Sequence, residues 1–167
     1  MMAASLRDAD ALVDFLLAKG ADVDIKTYNG QTALHFTASK SNLDTARKLI
    51  AHKASARVKD RRGQLPLHRA AAVGSVPLVK LLLDSKSPIN ATDVDGSTAL
   101  HHAIAEGHGD TALVLLKAGA ETDKEDGSGS LALDLAPDPK VRNYILRAAE
   151  EEGVEVASKS GGMRMEI

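Results

Sequence analysis

The chain contains no cysteine and no tryptophan, and aromatic residues make up only 2% of its 167 positions. Without cysteine there is no disulfide, no thiol nucleophile and no Cys-containing zinc site. A core with so few rings must be filled by Leu, Ala, Val and Ile, small side chains that suit closely packed helices. Hydrophobic residues supply 44% of the chain. An excess of one charge is also missing: 21 basic residues meet 23 acidic ones, for a formal net charge of −2. Nothing therefore pulls the chain as a whole toward nucleic acid or an anionic membrane. No apolar run approaches the roughly 18–20 residues that span a bilayer. Residues 1–10 lack the basic and apolar regions of a signal peptide. The expectation is one domain, cytoplasmic and nuclear, with no membrane and no nucleic-acid partner.

What is present is a repeat. Thr98-Ala99-Leu100-His101-His102-Ala103 is preceded by Leu65-Pro66-Leu67-His68-Arg69-Ala70 and by Thr32-Ala33-Leu34-His35-Phe36-Thr37. Gly30, Gly63 and Gly96 stand two residues before these copies, 33 residues apart, and Gly129 continues the series. A fixed period of this length predicts a solenoid whose units bury their apolar faces only against their neighbours. Period and motif resemble the ankyrin repeat. That resemblance implies an all-α solenoid of helix-turn-helix units joined by β-hairpin loops, with about four to five stacked units.

Along the chain, residues 1–30 read as a partial repeat. Leu12, Phe15 and Leu16 have helical spacing, flanked by Val13 and Leu17. Counting back 33 from Leu34 and His35 lands on Met1 and Met2, so the first helix of a unit is expected to be already running there. Either this is a short natural form or upstream repeats are missing; the second is the favoured expectation. Residues 31–62, 64–95 and 97–128 read as complete units. In the first, Leu43, Ala46, Leu49 and Ile50 form the buried face of the second helix. Pro77 is tolerated in the first turn of its helix, where the missing N–H costs little. Residues 130–149 read as a C-terminal capping repeat, with Asp134 in place of the motif histidine and Pro137 and Pro139 shortening the first helix. Its expected apolar stripe is Val141, Ile145 and Leu146, with Lys140, Arg142, Asn143 and Arg147 facing water. Residues 150–167 read as a disordered tail.

The histidines are the obvious chemical candidates. His35, His68 and His101 recur once per unit, roughly 8–10 Å apart at helix-packing distance. Ligands of one metal must lie about 2 Å from it, so the three do not share an ion. Their expected role is to tie the first helix to the neighbouring turn. His101 and His102, adjacent on a helix, point about 100° apart, and His108 sits at a turn. No Gly-x-Ser-x-Gly elbow occurs. Gly127-Ser128-Gly129-Ser130 has no Lys-Ser/Thr after it and no strand before it, which excludes a phosphate loop. The acidic groups lack calcium-loop spacing. The reading is a non-enzyme with no cofactor and no metal.

What remains is the surface. Hairpin tips and the exposed side of each first helix are expected to form a concave binding face. The variable positions there are Tyr28, Asn29, Gln31, Phe36, Ser39 and Lys40; then Arg61, Arg62, Gln64, Arg69 and Val73; then Val94, Asp95, Ser97, His102 and Glu106. Arg61, Arg62 and Arg69, with Lys59 and Lys40, concentrate positive charge on an acidic chain. Arginine is enriched in interfaces and pairs bidentately with carboxylates. The predicted partner-binding set is Tyr28, Lys40, Lys59, Arg61, Arg62, Arg69, Val73, Asp95, His102 and Glu106. The partner is a protein, and the unbound chain is expected to be a monomer.

Within the ankyrin proteins, three stretches resemble gankyrin and its yeast counterpart. They are the run from Val58 through Arg61-Arg62-Gly63-Gln64-Leu65-Pro66-Leu67-His68-Arg69 to Ser75, Ala105-Glu106-Gly107-His108-Gly109-Asp110, and Pro139-Lys140-Val141-Arg142-Asn143-Tyr144. That family is a non-ATPase subunit of the 26S proteasome regulatory particle and acts as an assembly chaperone. The resemblance implies binding of the C-terminal domain of a proteasomal ATPase subunit. It also implies Lys59, Arg61, Arg62, Arg69, His102 and Glu106 as partner contacts. Family members have more N-terminal repeats, and the Leu-x-Cys-x-Glu motif of the animal protein is absent. A generic ankyrin adaptor, or an inhibitor of the kinase-inhibitor type, is the alternative.

Overall fold

The computed structural model describes residues 10–159. It is an all-α solenoid, and no helix in it is long and apolar enough to cross a membrane. In chain order the helices are α1 (Asp10–Ala18), α2 (Ala33–Ser39), α3 (Leu43–Ala51), α4 (Pro66–Val73), α5 (Val76–Asp84), α6 (Ala99–Ala105), α7 (Gly109–Lys117), a 3₁₀ helix (Ala132–Leu135) and α8 (Pro139–Glu151). The first helices α2, α4, α6 and the 3₁₀ helix pack as one row; the second helices α1, α3, α5, α7 and α8 pack as another.

The period of the sequence becomes a set of buried columns. Leu34, Leu67, Leu100 and Leu133 recur every 33 residues, and all are buried. Ala38 and Ala71 beside them let the first helices approach closely. Helix ends follow local chemistry. The side chain of Asn42 accepts from the Thr45 N–H at 3.2 Å, and that of Asp138 from the Val141 N–H at 2.9 Å, each satisfying an otherwise orphaned donor. Pro66, Pro77 and Pro139 sit in first turns. Each hairpin closes on itself: the N–H of Thr27, Asp60, Asp93 and Asp126 donates to the carbonyl four residues on, at 2.8–3.0 Å. The tips then join one another. Arg61 N–H donates to Asn29, Val94 to Arg62 and Gly127 to Asp95, each across 2.8–2.9 Å. Only the Glu125–Leu131 pair reaches a β-bridge among the described residues.

Three expectations change. In α1 the buried residues are Val13 and Leu17, whereas Leu12, Phe15 and Leu16 are exposed. Among the described helices α1 packs chiefly on α3, and the flank that faces it is the covered one. In α8 the buried pair is Ile145 and Ala149, and Leu146 faces out. Arg142 does not face water: its guanidinium donates to the Leu133 carbonyl at 3.1 Å and to the Ser158 hydroxyl.

The disorder expected from residue 150 does not hold as far as residue 159. Gly153-Val154-Glu155-Val156 repeats the element that follows every second helix, as in Gly20-Ala21-Asp22-Val23 and Gly119-Ala120-Glu121-Thr122. Val154 N–H donates to the Ala149 carbonyl at 2.8 Å, as Ala120 N–H does to Leu115 at 3.0 Å. Val154 and Val156 pack on the core. Asp134, where a histidine would stand, accepts from the Ser158 hydroxyl at 2.9 Å and the Lys159 N–H at 3.1 Å. The rest of the expected tail, residues 160–167, and the expected first-helix register at Met1 and Met2 lie outside the described residues.

Candidate interaction surface

The repeated histidines are braces. The Nδ1 atom of His35, His68 and His101 accepts the backbone N–H of Thr32, Leu65 and Thr98 at 3.0, 2.9 and 3.2 Å. An Nδ1 that accepts carries no proton, so Nε2 is protonated and donates. Its acceptors are the carbonyls of Gln64, Ala91 and Ser130 at 2.9, 3.0 and 3.2 Å; Gln64 and Ser130 belong to the following unit, and Ala91 leads into the next hairpin. Burial holds His35 below its ordinary pKa. Burial, and then the nearby His102, lowers His68 to about 4. Both imidazoles are thus neutral at pH 7 and committed at both nitrogens, which leaves no lone pair for chemistry. Among the described residues no group of three or more His, Asp and Glu side chains is placed to hold a metal ion.

The hairpins are organised by aspartates that the sequence pattern alone did not single out. Asp60, three residues before Gly63, accepts from the N–H groups of Arg62 and Gln64 through Oδ1, both at 2.9 Å. Its Oδ2 takes the Arg69 guanidinium at 2.9 Å. Asp93 does the same one unit later: Oδ1 accepts from Asp95 and Ser97, both at 3.0 Å, and Oδ2 meets His102 Nε2 at 2.8 Å. Burial acts to raise both carboxyl pKa values. The Gln64 N–H and the Arg69 hydrogen bond outweigh it for Asp60, and the His102 hydrogen bond and the Ser97 N–H for Asp93, so both are held low. The signal was in the sequence: Thr27, Asp60, Asp93 and Asp126 stand 33 residues apart, nine before Phe36, Arg69, His102 and Leu135. A basic residue occurs at the later position only where a buried Asp waits for it.

Two residues of the predicted binding set are therefore engaged inside the chain. Arg69 is 25% exposed and paired with a 2% exposed carboxylate. His102 is likewise part-buried on Asp93, its ring edge-on to His68 at 5.6 Å between centroids. Lys59 is exposed, but its ammonium donates to the Thr92 carbonyl at 2.9 Å. Lys40 and Glu106 are exposed at the C-terminal ends of α2 and α6. Val73 is exposed at the end of α4, and Asp95 is exposed at the third hairpin tip beside the exposed Val94.

The first two tips form a built feature. Tyr28 is 82% exposed, and the Arg61 guanidinium lies over its ring, 4.1 Å from the centroid. The backbone link from Arg61 N–H to the Asn29 carbonyl fixes the two tips side by side. Arg62, also exposed, extends the patch toward the third tip. A guanidinium stacked on a ring keeps its in-plane N–H donors free for a carboxylate. The row can bind a protein segment by shape, stacking and charge.

No curated protein matches this chain. A family profile of ankyrin repeats (3 copies) does, over residues 1–93 and 38–126. That match covers most of the chain, including all three brace histidines and the first three hairpins; the chain belongs to the ankyrin-repeat family, whose stacked units are protein-binding scaffolds.

Proposed function

We propose that this chain is a proteasome regulatory-particle assembly chaperone of the cytoplasm and nucleus. It binds the C-terminal domain of a proteasomal ATPase subunit along its hairpin tips and first helices, without catalysis. The observation that carries the reading is the exposed Tyr28–Arg61–Arg62 platform, a cationic and aromatic feature on an acidic chain. The off-consensus stretches around Arg61 and from Ala105 to Asp110, which resemble the gankyrin family, supply the partner class. Exposed Asp95 and Glu106 further along the row favour a partner surface that changes from acidic to basic along its length.

The test is recovery of proteasomal ATPase C-terminal domains by the immobilised chain and by the Arg61→Glu/Arg62→Glu double variant. The expected result is recovery that falls with added salt, because exposed ion pairs are screened, and that is lost in the double variant. Arg69→Glu is the poorer probe, since it sets two carboxylates against each other inside the fold. Equal recovery by both proteins removes the platform from the interface. No recovery by either leaves the chain a general ankyrin adaptor or kinase-inhibitor-type protein.

A further inference from the structure

The four hairpins carry charge in a fixed order. Taken as the six residues that begin at Lys26, Lys59, Thr92 and Glu125, they have formal charges of +1, +2, −2 and −2. Pairing inside the fold does not cancel this order. Asp60 is taken by Arg69 and Asp93 by His102. Lys26, Arg61 and Arg62 are exposed in the first two hairpins, and Asp95 and Glu125 in the last two. Lys159 meets Glu125 at 2.6 Å, but Asp126 has Leu135 where the two preceding units have a basic residue. The ends of the first helices follow the same order, with exposed Lys40 after α2, Val73 closing α4 and Glu106 after α6. The backbone links between neighbouring tips hold the row in register. At helix-packing distance per unit the row is a strip roughly 30 Å long.

We propose that this strip pairs with the same strip of a second copy, antiparallel about a two-fold axis that passes between the second and third hairpins. A two-fold interface sets residue i of one copy on j of the other, and j on i. Here it sets Arg61 and Arg62 of each copy on Val94 and Asp95 of the other, and the first hairpin on the fourth. Each positive half then faces a negative half. A parallel arrangement sets like charges together, which is costly. The chemistry at the contact fits. The Arg61 guanidinium, stacked on Tyr28, turns its in-plane N–H donors to a carboxylate. Val94, 68% exposed, supplies an apolar neighbour for the ion pair. The net charge of −2 per copy opposes the approach only weakly. A strip one hairpin wide has the small area of a transient encounter, so the pair is weak and salt-dependent, and the expected monomer holds in dilute solution. Pairing covers the Tyr28–Arg61 platform. It therefore competes with any protein that binds there, and the paired chain is a stored form with its platform masked. The pairing does not rest on the identity of that protein.

Sedimentation velocity on the concentrated full chain tests this at about 0.02 M and about 0.5 M salt, on either side of physiological screening. The parent should dimerise at low salt, and the added salt should weaken the pair at least about tenfold. Arg61→Glu/Arg62→Glu reverses the exposed positive half of the strip, and Asp95→Lys/Glu125→Lys reverses the exposed negative half. Each variant alone should stay monomeric. An equimolar mixture of the two should recover a dimer of about the parent's strength, which neither could form if it had failed to fold. Arg47→Glu/Lys80→Glu, at exposed positions on α3 and α5, has the net charge of the first variant but keeps the parent strip. It should pair with itself and not with Asp95→Lys/Glu125→Lys. A parent chain that stays monomeric at low salt overturns the proposal. So does equally tight pairing of Asp95→Lys/Glu125→Lys with both acidic variants, because attraction between net charges would then suffice. Only this chain is present, so the result is independent of the proteasomal partner proposed above.

Discussion

Asp60 shows how much one side chain decides in a repeat of this kind. It satisfies two hairpin N–H groups and one guanidinium from a nearly buried position. Asp60→Ala should cost about 1–3 kcal/mol, the usual penalty for stranding buried donors. Asp60→Asn, which keeps an oxygen at the hairpin and loses the charge, should cost less; urea denaturation of both variants checks the order. His68 makes stability depend on pH. Its folded pKa, about 4, lies below an unfolded value near 6.5. The unfolded chain therefore binds a proton that the folded one refuses, and stability falls as pH drops from about 6.5 to about 4, by on the order of 3 kcal/mol. His35, lowered in the same direction, adds to this. Asp60 and Asp93 act lower down: their contribution is complete above the unfolded carboxylate value near 3.9 and is lost as pH falls through their depressed folded values. The urea midpoint measured against pH should show this slope, and His68→Gln should flatten it. An unchanged slope would mean that His68 takes up a proton without unfolding the chain.

The connecting elements carry a different constraint. Every second helix ends in a residue of positive φ: Gly20, Lys53, Lys86, Gly119 and Gly153. The two lysines hold a conformation that costs an L-residue roughly 1–2 kcal/mol. Lys53→Gly should stabilise the chain by about 0.5–1 kcal/mol, the strain relieved less the added freedom of an unfolded glycine. The turn glycines behave oppositely. At Gly96 a methyl group would lie 2.8 Å from the Gly127 backbone nitrogen, whereas at Gly20 nothing lies within 4 Å. Both positions have positive φ, so Gly20→Ala meets only backbone strain, while Gly96→Ala must also push apart a pair of hairpins that are joined by hydrogen bonds. Melting temperatures should rank Lys53→Gly, the parent, Gly20→Ala and Gly96→Ala from highest to lowest. The arm of residues 153–159 belongs at this scale as well. It was missed in the sequence because its glycine comes 34 rather than 33 residues after Gly119, and because a run of Glu, Ser and Gly reads as tail unless Val154 and Val156 are placed in the repeat.

Across the whole molecule, units are coupled only through their neighbours. Helices α4 to α7 have packed units on both sides, whereas among the described helices α1 packs chiefly on α3. Amide protection should therefore be highest in α4–α7 and lowest in α1. Protection in α1 equal to that in α5 would mean that the repeats unfold as one unit. The sequence by itself determined the period, the helical class and the buried leucine column, because each rests on spacing along the chain. It also marked Arg69 as unusual. Only the tertiary structure decided that Arg69 closes on Asp60 while Arg61 lies over Tyr28. Those pairings depend on which side chains the stacking of units brings within reach, across hairpins and not along one helix, and a buried carboxylate claims the first arginine before any partner can.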